Sequence, residues 1–156
     1  MSETELLQRT LAIARQAVES GNLPFGCLLA DANGDILEEA GNTVVSTKDT
    51  IAHCEINLVH QMAGKYEAVF LQNCSVYAST EPCPMCTGAL YWSGVGRIVY
   101  ALGKDVYHQI NQTTNLAYIF NLSCSDLLQK GGRVVMVAGP LLEEEARQFY
   151  TSLINQ

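Results

Sequence analysis

The sequence predicts an α/β fold of three layers, α/β/α, built on a five-stranded mixed sheet, with residues 1–156 forming a single domain. Three observations carry that expectation. Short apolar runs recur along the chain and read as buried strands. The first two are joined by Asn33-Gly34, a strong hairpin signal. The later ones alternate with helical patterns, which makes successive strands parallel and covers both faces of the sheet.

Residues 4–20 place Leu7, Leu11, Ala14 and Val18 near helical spacing, and Gly21 ends the run. Phe25 to Ala30 is the first strand and Ile36 to Ala40 its hairpin partner. A helix is expected from about Thr50, through Ile56 and Val59, to Met62, and a strand over Cys74 to Ser79. Pro84 suits the first turn of the next helix, which ends at Gly94 or Gly96. Arg97 to Leu102 is another strand. Residues 103–122, polar and rich in Asn and Gln, are expected as loop with a short helix. Ser125 to Lys130 forms a helical turn closed by Gly131-Gly132, and Arg133 to Val137 is the fifth strand. A last helix follows Pro140, with Glu143, Glu144 and Glu145 where the dipole favours acids.

A chain of 156 residues, 48% of them apolar, can bury a core without disulfides and is not expected to be disordered. Its apolar runs are too short for a membrane span. Met1-Ser-Glu-Thr-Glu has no basic and then apolar leader pattern. The expectation is a cytoplasmic protein with no membrane partner. Its six cysteines, Cys27, Cys54, Cys74, Cys83, Cys86 and Cys124, are then free thiols or metal ligands. Net charge is −7, and no two of the nine Lys and Arg are adjacent. Gripping a nucleic acid takes clustered cations, so a small molecule is the expected partner.

Two segments carry chemistry: His53-Cys54-Glu55, and Pro82-Cys83-Pro84-Met85-Cys86 about thirty residues later. The two-residue gap between Cys83 and Cys86 lets both sulfurs close on one zinc ion. Pro84 starts a helix there, and a helix N-terminus lowers thiol pKa. Structural zinc usually takes four protein ligands, and no second CxxC or His pair exists here. His53, Cys83 and Cys86 leave one position open, which marks a catalytic site. Glu55, two residues from His53, is poorly spaced to ligate beside it and reads as an unligated acid/base. A lone CxxC also fits a redox pair or a structural zinc; a redox pair would leave His53 and Glu55 without a role.

With these residues the chain resembles the cytidine deaminase-like superfamily. The likeness covers His53-Cys54-Glu55 and Pro82 to Leu90, and extends through Pro24-Phe25-Gly26, Gly41-Asn42 and Arg97-Ile-Val-Tyr, roughly residues 5–102. It is nearest to the branch holding guanine, cytosine and tRNA adenosine deaminases. The resemblance implies the three-layer fold, a homodimer, one Zn2+ per chain on His53, Cys83 and Cys86, and Glu55 as proton shuttle. It also implies substrate contacts from Asn42, from the backbone of Ala52 or Cys54, and from Phe25 and Trp92 as aromatic pocket walls. Each contact has a plainer alternative. Asn42 follows a glycine in a turn, where Asn serves the backbone. Phe25 and Trp92 can be ordinary packing. Cys54 reads as a buried small side chain rather than a fourth ligand.

The implied activity is zinc-dependent hydrolytic deamination of a free nucleobase or nucleoside, by a hydrolase acting on cyclic amidines. Pro24-Phe25-Gly26 and Trp92 lean towards a purine such as guanine, with cytosine the nearest rival. Guanine deaminases of this type close a Phe-Asp segment over the purine, and residues 103–121 contain none; Asp105, Tyr107 and His108 are the substitutes on offer. The acidic charge disfavours tRNA adenosine deamination, and Glu55 disfavours a non-catalytic zinc-binding module.

Overall fold

The computed structural model describes residues 1–156. Helix α1 (Glu3–Glu19) starts at a capping box, in which Ser2 and Glu5 each accept the other's backbone N–H. Then come β1 (Gly26–Ala30), β2 (Ile36–Gly41), α2 (Val44–Thr47), α3 (Cys54–Met62), α4 (Ala68–Leu71), β3 (Ser75–Thr80) and α5 (Pro84–Ser93). The chain continues through β4 (Arg97–Leu102), α6 (Lys104–Asn111), a 3-10 turn (Leu116–Tyr118), α7 (Cys124–Gln129), β5 (Met136–Ala138) and α8 (Glu143–Ile154). No helix is long and apolar enough to cross a membrane.

The five strands form one mixed sheet in the order β2-β1-β3-β4-β5. β1 is antiparallel to β2 and β3, whereas β3, β4 and β5 run parallel. Alternation along each strand divides the core into two layers. Cys27, Leu29, Val76, Ala78, Ile98 and Tyr100 face one side, with Leu58 of α3, Leu90 of α5 and Leu128 of α7. Leu28, Ala30, Tyr77, Val99 and Ala101 face the other, with Leu6, Leu7 and Leu11 of α1 and Ala146 and Tyr150 of α8. The three-layer α/β/α expectation describes this arrangement.

The differences from the sequence pattern are local. The β1–β2 turn is longer than Asn33-Gly34 alone: Asp31 Oδ1 accepts the N–H groups of Asn33 and Asp35 at 2.9 and 3.0 Å, making it an Asx turn. The helix expected from Thr50 starts at Cys54, because residues 48–53 are taken up returning from α2. The fifth strand is confined to Met136–Ala138. Arg133 instead turns its guanidinium onto the carbonyls of Tyr91 and Val95, closing the end of α5.

Gly26 fixes how closely α1 lies on β1. A Cβ there would stand 2.5 Å from the Thr10 carbonyl oxygen and 2.6 Å from the Ala14 nitrogen. Gly26→Ala must push helix backbone off the sheet, so it should cost about 2 kcal/mol in denaturant unfolding. An unchanged midpoint would mean that α1 yields freely.

Candidate functional site

Strand polarity gathers the site at one edge of the sheet. Cys27 pairs with Ala78 in antiparallel register, so the start of β1 lies beside the end of β3. Thr80 pairs with Leu102 in parallel register, so β3 and β4 finish together, and Gly41 of β2 faces Gly26. The segments leaving or entering there are Pro24-Phe25, Asn42, Glu81-Pro82-Cys83 and Gly103-Lys104. The carboxyl ends of parallel strands are where open α/β sheets bind ligands.

Two helices aim their N-termini into this edge. His53 is the N-cap of α3, and Cys83 is the N-cap of α5 with Pro84 at its first position. Cys86 follows in the first turn, fully buried. His53 Nδ1 lies 3.7 Å from Cys83 Sγ and 3.5 Å from Cys86 Sγ, and the three ligand atoms all fall within 4.8 Å of one another. A tetrahedral zinc with ordinary Zn–N and Zn–S bonds calls for an N···S separation of roughly 3.6 Å. The donor set, one imidazole and two thiols, suits the same ion.

The electrostatics fit a cation as well. The Cys86 thiol, then the His53 ring and the Cys86 backbone N–H, lower Cys83 from its ordinary value near 9 to about 4. Cys86, pressed against Cys83 and buried, is pushed upward. His53 is raised by Cys83. Glu55, in the first turn of α3 and 6% exposed, is pushed up mainly by burial, with its own backbone N–H opposing and Cys83 adding to the rise. None of the five ion pairs reaches Glu55 or the thiols. Apart from His53, the acidic groups of the site are offset by helix N-termini and by no lysine or arginine, a setting that suits a bound cation such as zinc.

The other expected residues fall as follows. Asn42 is 2% exposed; its Oδ1 accepts the Val44 N–H at 3.0 Å, and its own N–H donates to the Phe25 carbonyl at 3.0 Å. The backbone role is thus realised, while its Nδ2 has no partner within the chain. Ala52 spends its N–H on Asp49 and its carbonyl on Thr43. Cys54 is buried in the core, its thiol raised by burial, and lies outside the three-ligand cluster. Phe25 is partly buried and meets Tyr107 of α6 edge-on, with centroids 5.0 Å apart. Trp92, far along α5, is 84% exposed and packs edge-on against Tyr91; in one chain it walls no pocket.

Three residues beside the site escape the sequence pattern. Tyr150 of α8 donates its hydroxyl to the Pro24 carbonyl at 2.9 Å and packs on Tyr107. Ser79 Oγ accepts the Gly26 N–H at 3.1 Å. Glu81 binds the backbones of Lys104 and Cys124. All act through contacts distant in sequence, which no local motif signals. Two surface grooves lie elsewhere, about 440 Å³ between α1 and α8 and about 380 Å³ between α7 and β5, and neither is lined by the triad or Glu55.

Residues 1–102 match the family model of the cytidine and deoxycytidylate deaminase zinc-binding region. The chain is 33% identical to a probable cytosine deaminase of Schizosaccharomyces pombe over 153 residues, covering 94% of this chain and 93% of that one. It is 34% identical to the guanine deaminase of Bacillus subtilis over 102 residues, 65% of each chain. A guanine deaminase structure from Nitrosomonas europaea superposes with a TM-score of 0.77 at 21% identity, covering 99% of this chain and 86% of that one, which establishes the shared fold.

With three ligands on two helix N-termini, loss of one should not be made good by a neighbour. His53→Ala and Cys83→Ala should each weaken zinc binding at least about a hundredfold, measured as zinc content after dialysis against a competing chelator. Full retention of zinc by either variant would remove that residue from the ligand set.

Proposed function

Because the chain belongs to the cytidine and deoxycytidylate deaminase zinc-binding family, it is a zinc-dependent deaminase, and we propose that it hydrolyses the exocyclic amino group of a free nucleobase, cytosine first and guanine second. The observation that carries this proposal is Glu55, a buried carboxyl with no cationic partner, beside three metal-binding side chains. A carboxyl whose pKa is raised by burial is suited to take up and return protons.

In this scheme His53, Cys83 and Cys86 would hold the zinc, which when bound would supply Lewis acidity that lowers the pKa of water. Glu55 would take two protons in turn from the water that adds to the ring, passing the first to the ring nitrogen and the second to the departing amino nitrogen. One water is consumed and one ammonia released, the ring carbon exchanges nitrogen for oxygen, and no redox change occurs. Asn42, with Oδ1 engaged by Val44, offers its Nδ2 as a donor to the base. Between Ala52 and Cys54, the N–H of Cys54 is the one without a partner in the chain, as expected at the first position of a helix. Phe25, backed by Tyr107, offers the aromatic wall.

Cytosine comes first because the likeness to the S. pombe protein runs through 94% of the chain, beyond the stretch that the family model matches. Guanine stays second on the 34% identity to the B. subtilis enzyme, although residues 103–121 lack a Phe-Asp segment. The net charge of −7 with scattered cations favours a small molecule over tRNA. A homodimer would use the outer face of α5. Met85, Gly88, Ala89 and Trp92 recur there at helical spacing, Gly88 has open space at its Cβ position, and Trp92 is almost fully exposed. Trp92 then belongs to that interface rather than to its own chain's pocket.

Ammonia release from cytosine, guanine and their nucleosides tests the activity. The zinc-loaded protein should turn over a free base, and Glu55→Gln should keep its zinc yet lose at least about a hundredfold in kcat. Full activity in that variant would remove Glu55 as the proton carrier. For the dimer, Trp92→Glu should shift the mass by light scattering from two chains to one. A wild-type monomer, or a variant that still dimerises, would exclude this face.

A further inference from the structure

We propose that Glu81 is a positioning residue whose carboxylate seats both ends of segment 104–123 on the rim of the metal site and so controls how tightly the base is held. The kinetic part of this proposal rests on the deaminase function above. Glu81 directly follows β3, and its backbone N–H donates to the Leu102 carbonyl at 2.8 Å, extending the β3–β4 ladder by one rung. Its side chain then serves two helices that it does not belong to. Oε1 accepts the N–H of Lys104, first residue of α6, at 3.3 Å. Oε2 accepts the N–H of Cys124, first residue of α7, at 2.9 Å. The N-cap of α6 is Gly103, which has no side chain to do this.

Segment 104–123 therefore leaves and returns at one carboxylate, two residues before Cys83. Lys104 Nζ lies 3.8 Å from Oε2, and both side chains are about nine-tenths buried. At that separation Lys104 is not hydrogen-bonded to the carboxylate, so it supports by charge a seat that the two N–H donors define. The clamp also closes on α5. Thr87 Oγ1 donates to the Pro82 carbonyl at 3.2 Å, and the Cys124 thiol lies beside Thr87. From the seat so formed, α6 carries Tyr107 onto Phe25, the aromatic residue that enters β1 at the same sheet edge. Loosening the seat moves Tyr107 off Phe25 while His53, Cys83, Cys86 and Glu55, held by α3 and α5, stay in place.

The test compares wild type, Glu81→Gln and Lys104→Met as full-length zinc-loaded chains. Gln keeps the volume but has one acceptor oxygen and no charge. With cytosine, or whichever free base the wild type turns over, Glu81→Gln should raise KM about tenfold, keep kcat within about threefold and keep zinc stoichiometric. Amides in 104–123 should exchange with deuterium about tenfold faster, with β3 and β4 unchanged. Lys104→Met leaves both N–H donors on Glu81 and should raise KM about threefold, which also decides the matter should Glu81→Gln not fold. Lost zinc, a kcat loss at unchanged KM, unaltered exchange in 104–123, or unchanged KM in Lys104→Met would each overturn the assignment. The exchange measurement uses no substrate, so silence on every base would overturn the proposed substrate class while still testing the seat.

Discussion

The parallel pairing of β3 with β4, in the register that sets Thr80 beside Leu102, is the constraint on which the rest of the molecule depends. It ends two strands together, so the chain can leave both into helices at one edge. The antiparallel β1 brings its beginning to the same edge. A slip of one residue would exchange the two faces of β3, sending Val76 and Ala78 towards α1 and Tyr77 towards α5. The turn into Cys83 would then start from the wrong face. The chemistry of the site is thus inherited from strand register, and the two apolar layers that flank the sheet hold that register.

A second constraint is electrostatic. Burying a carboxyl and a thiolate together is unfavourable, and no arginine or lysine offsets it here. The chain instead points the N-termini of α3 and α5 at the cluster. These partial charges lower the cost without filling the space between Nδ1 and the two sulfurs. Zinc completes the balance, which ties metal binding to the stability of this edge. The same surroundings that raise the Glu55 pKa keep it free of a cation that would lock its proton state.

Much of the fold was legible because local signals agreed with tertiary roles. Strand runs at 26–30, 75–80 and 97–102 are buried on both faces, so apolar residues sit next to one another there instead of alternating with exposed polar ones. Cys83-Pro84-Met85-Cys86 announces a helix N-terminus and a metal pair in the same residues. Helices α2 and α4, four residues each, are too short to show a period. Just before the shortened β5, Arg133 reaches back to the Tyr91 carbonyl of α5, a contact that no window of sequence contains. Trp92 is a different case: its place in the motif implied a wall, and on α5 of a single chain it stands in the open.

The division between what was legible and what was not follows the division of labour in the chain. His53, Glu55, Cys83 and Cys86 all lie within residues 1–102, the stretch that matches the family model. They need fixed spacing at two helix starts, and fixed spacing leaves a motif. The rim and its supports, Tyr107, Lys104, Cys124 and Tyr150, come after residue 102 and meet the site by contacts across the fold. Such contacts require only that a ring or an N–H arrive in the right place, and many sequences achieve that. The metal and proton-carrying residues are therefore written locally, whereas the packing of α6 on Phe25 and of α8 on Pro24 and α6 is set by the fold as a whole. Two chains sharing the motif can share the chemistry and still differ in substrate, which is why relatives named for different bases resemble this chain about equally well over their matched residues.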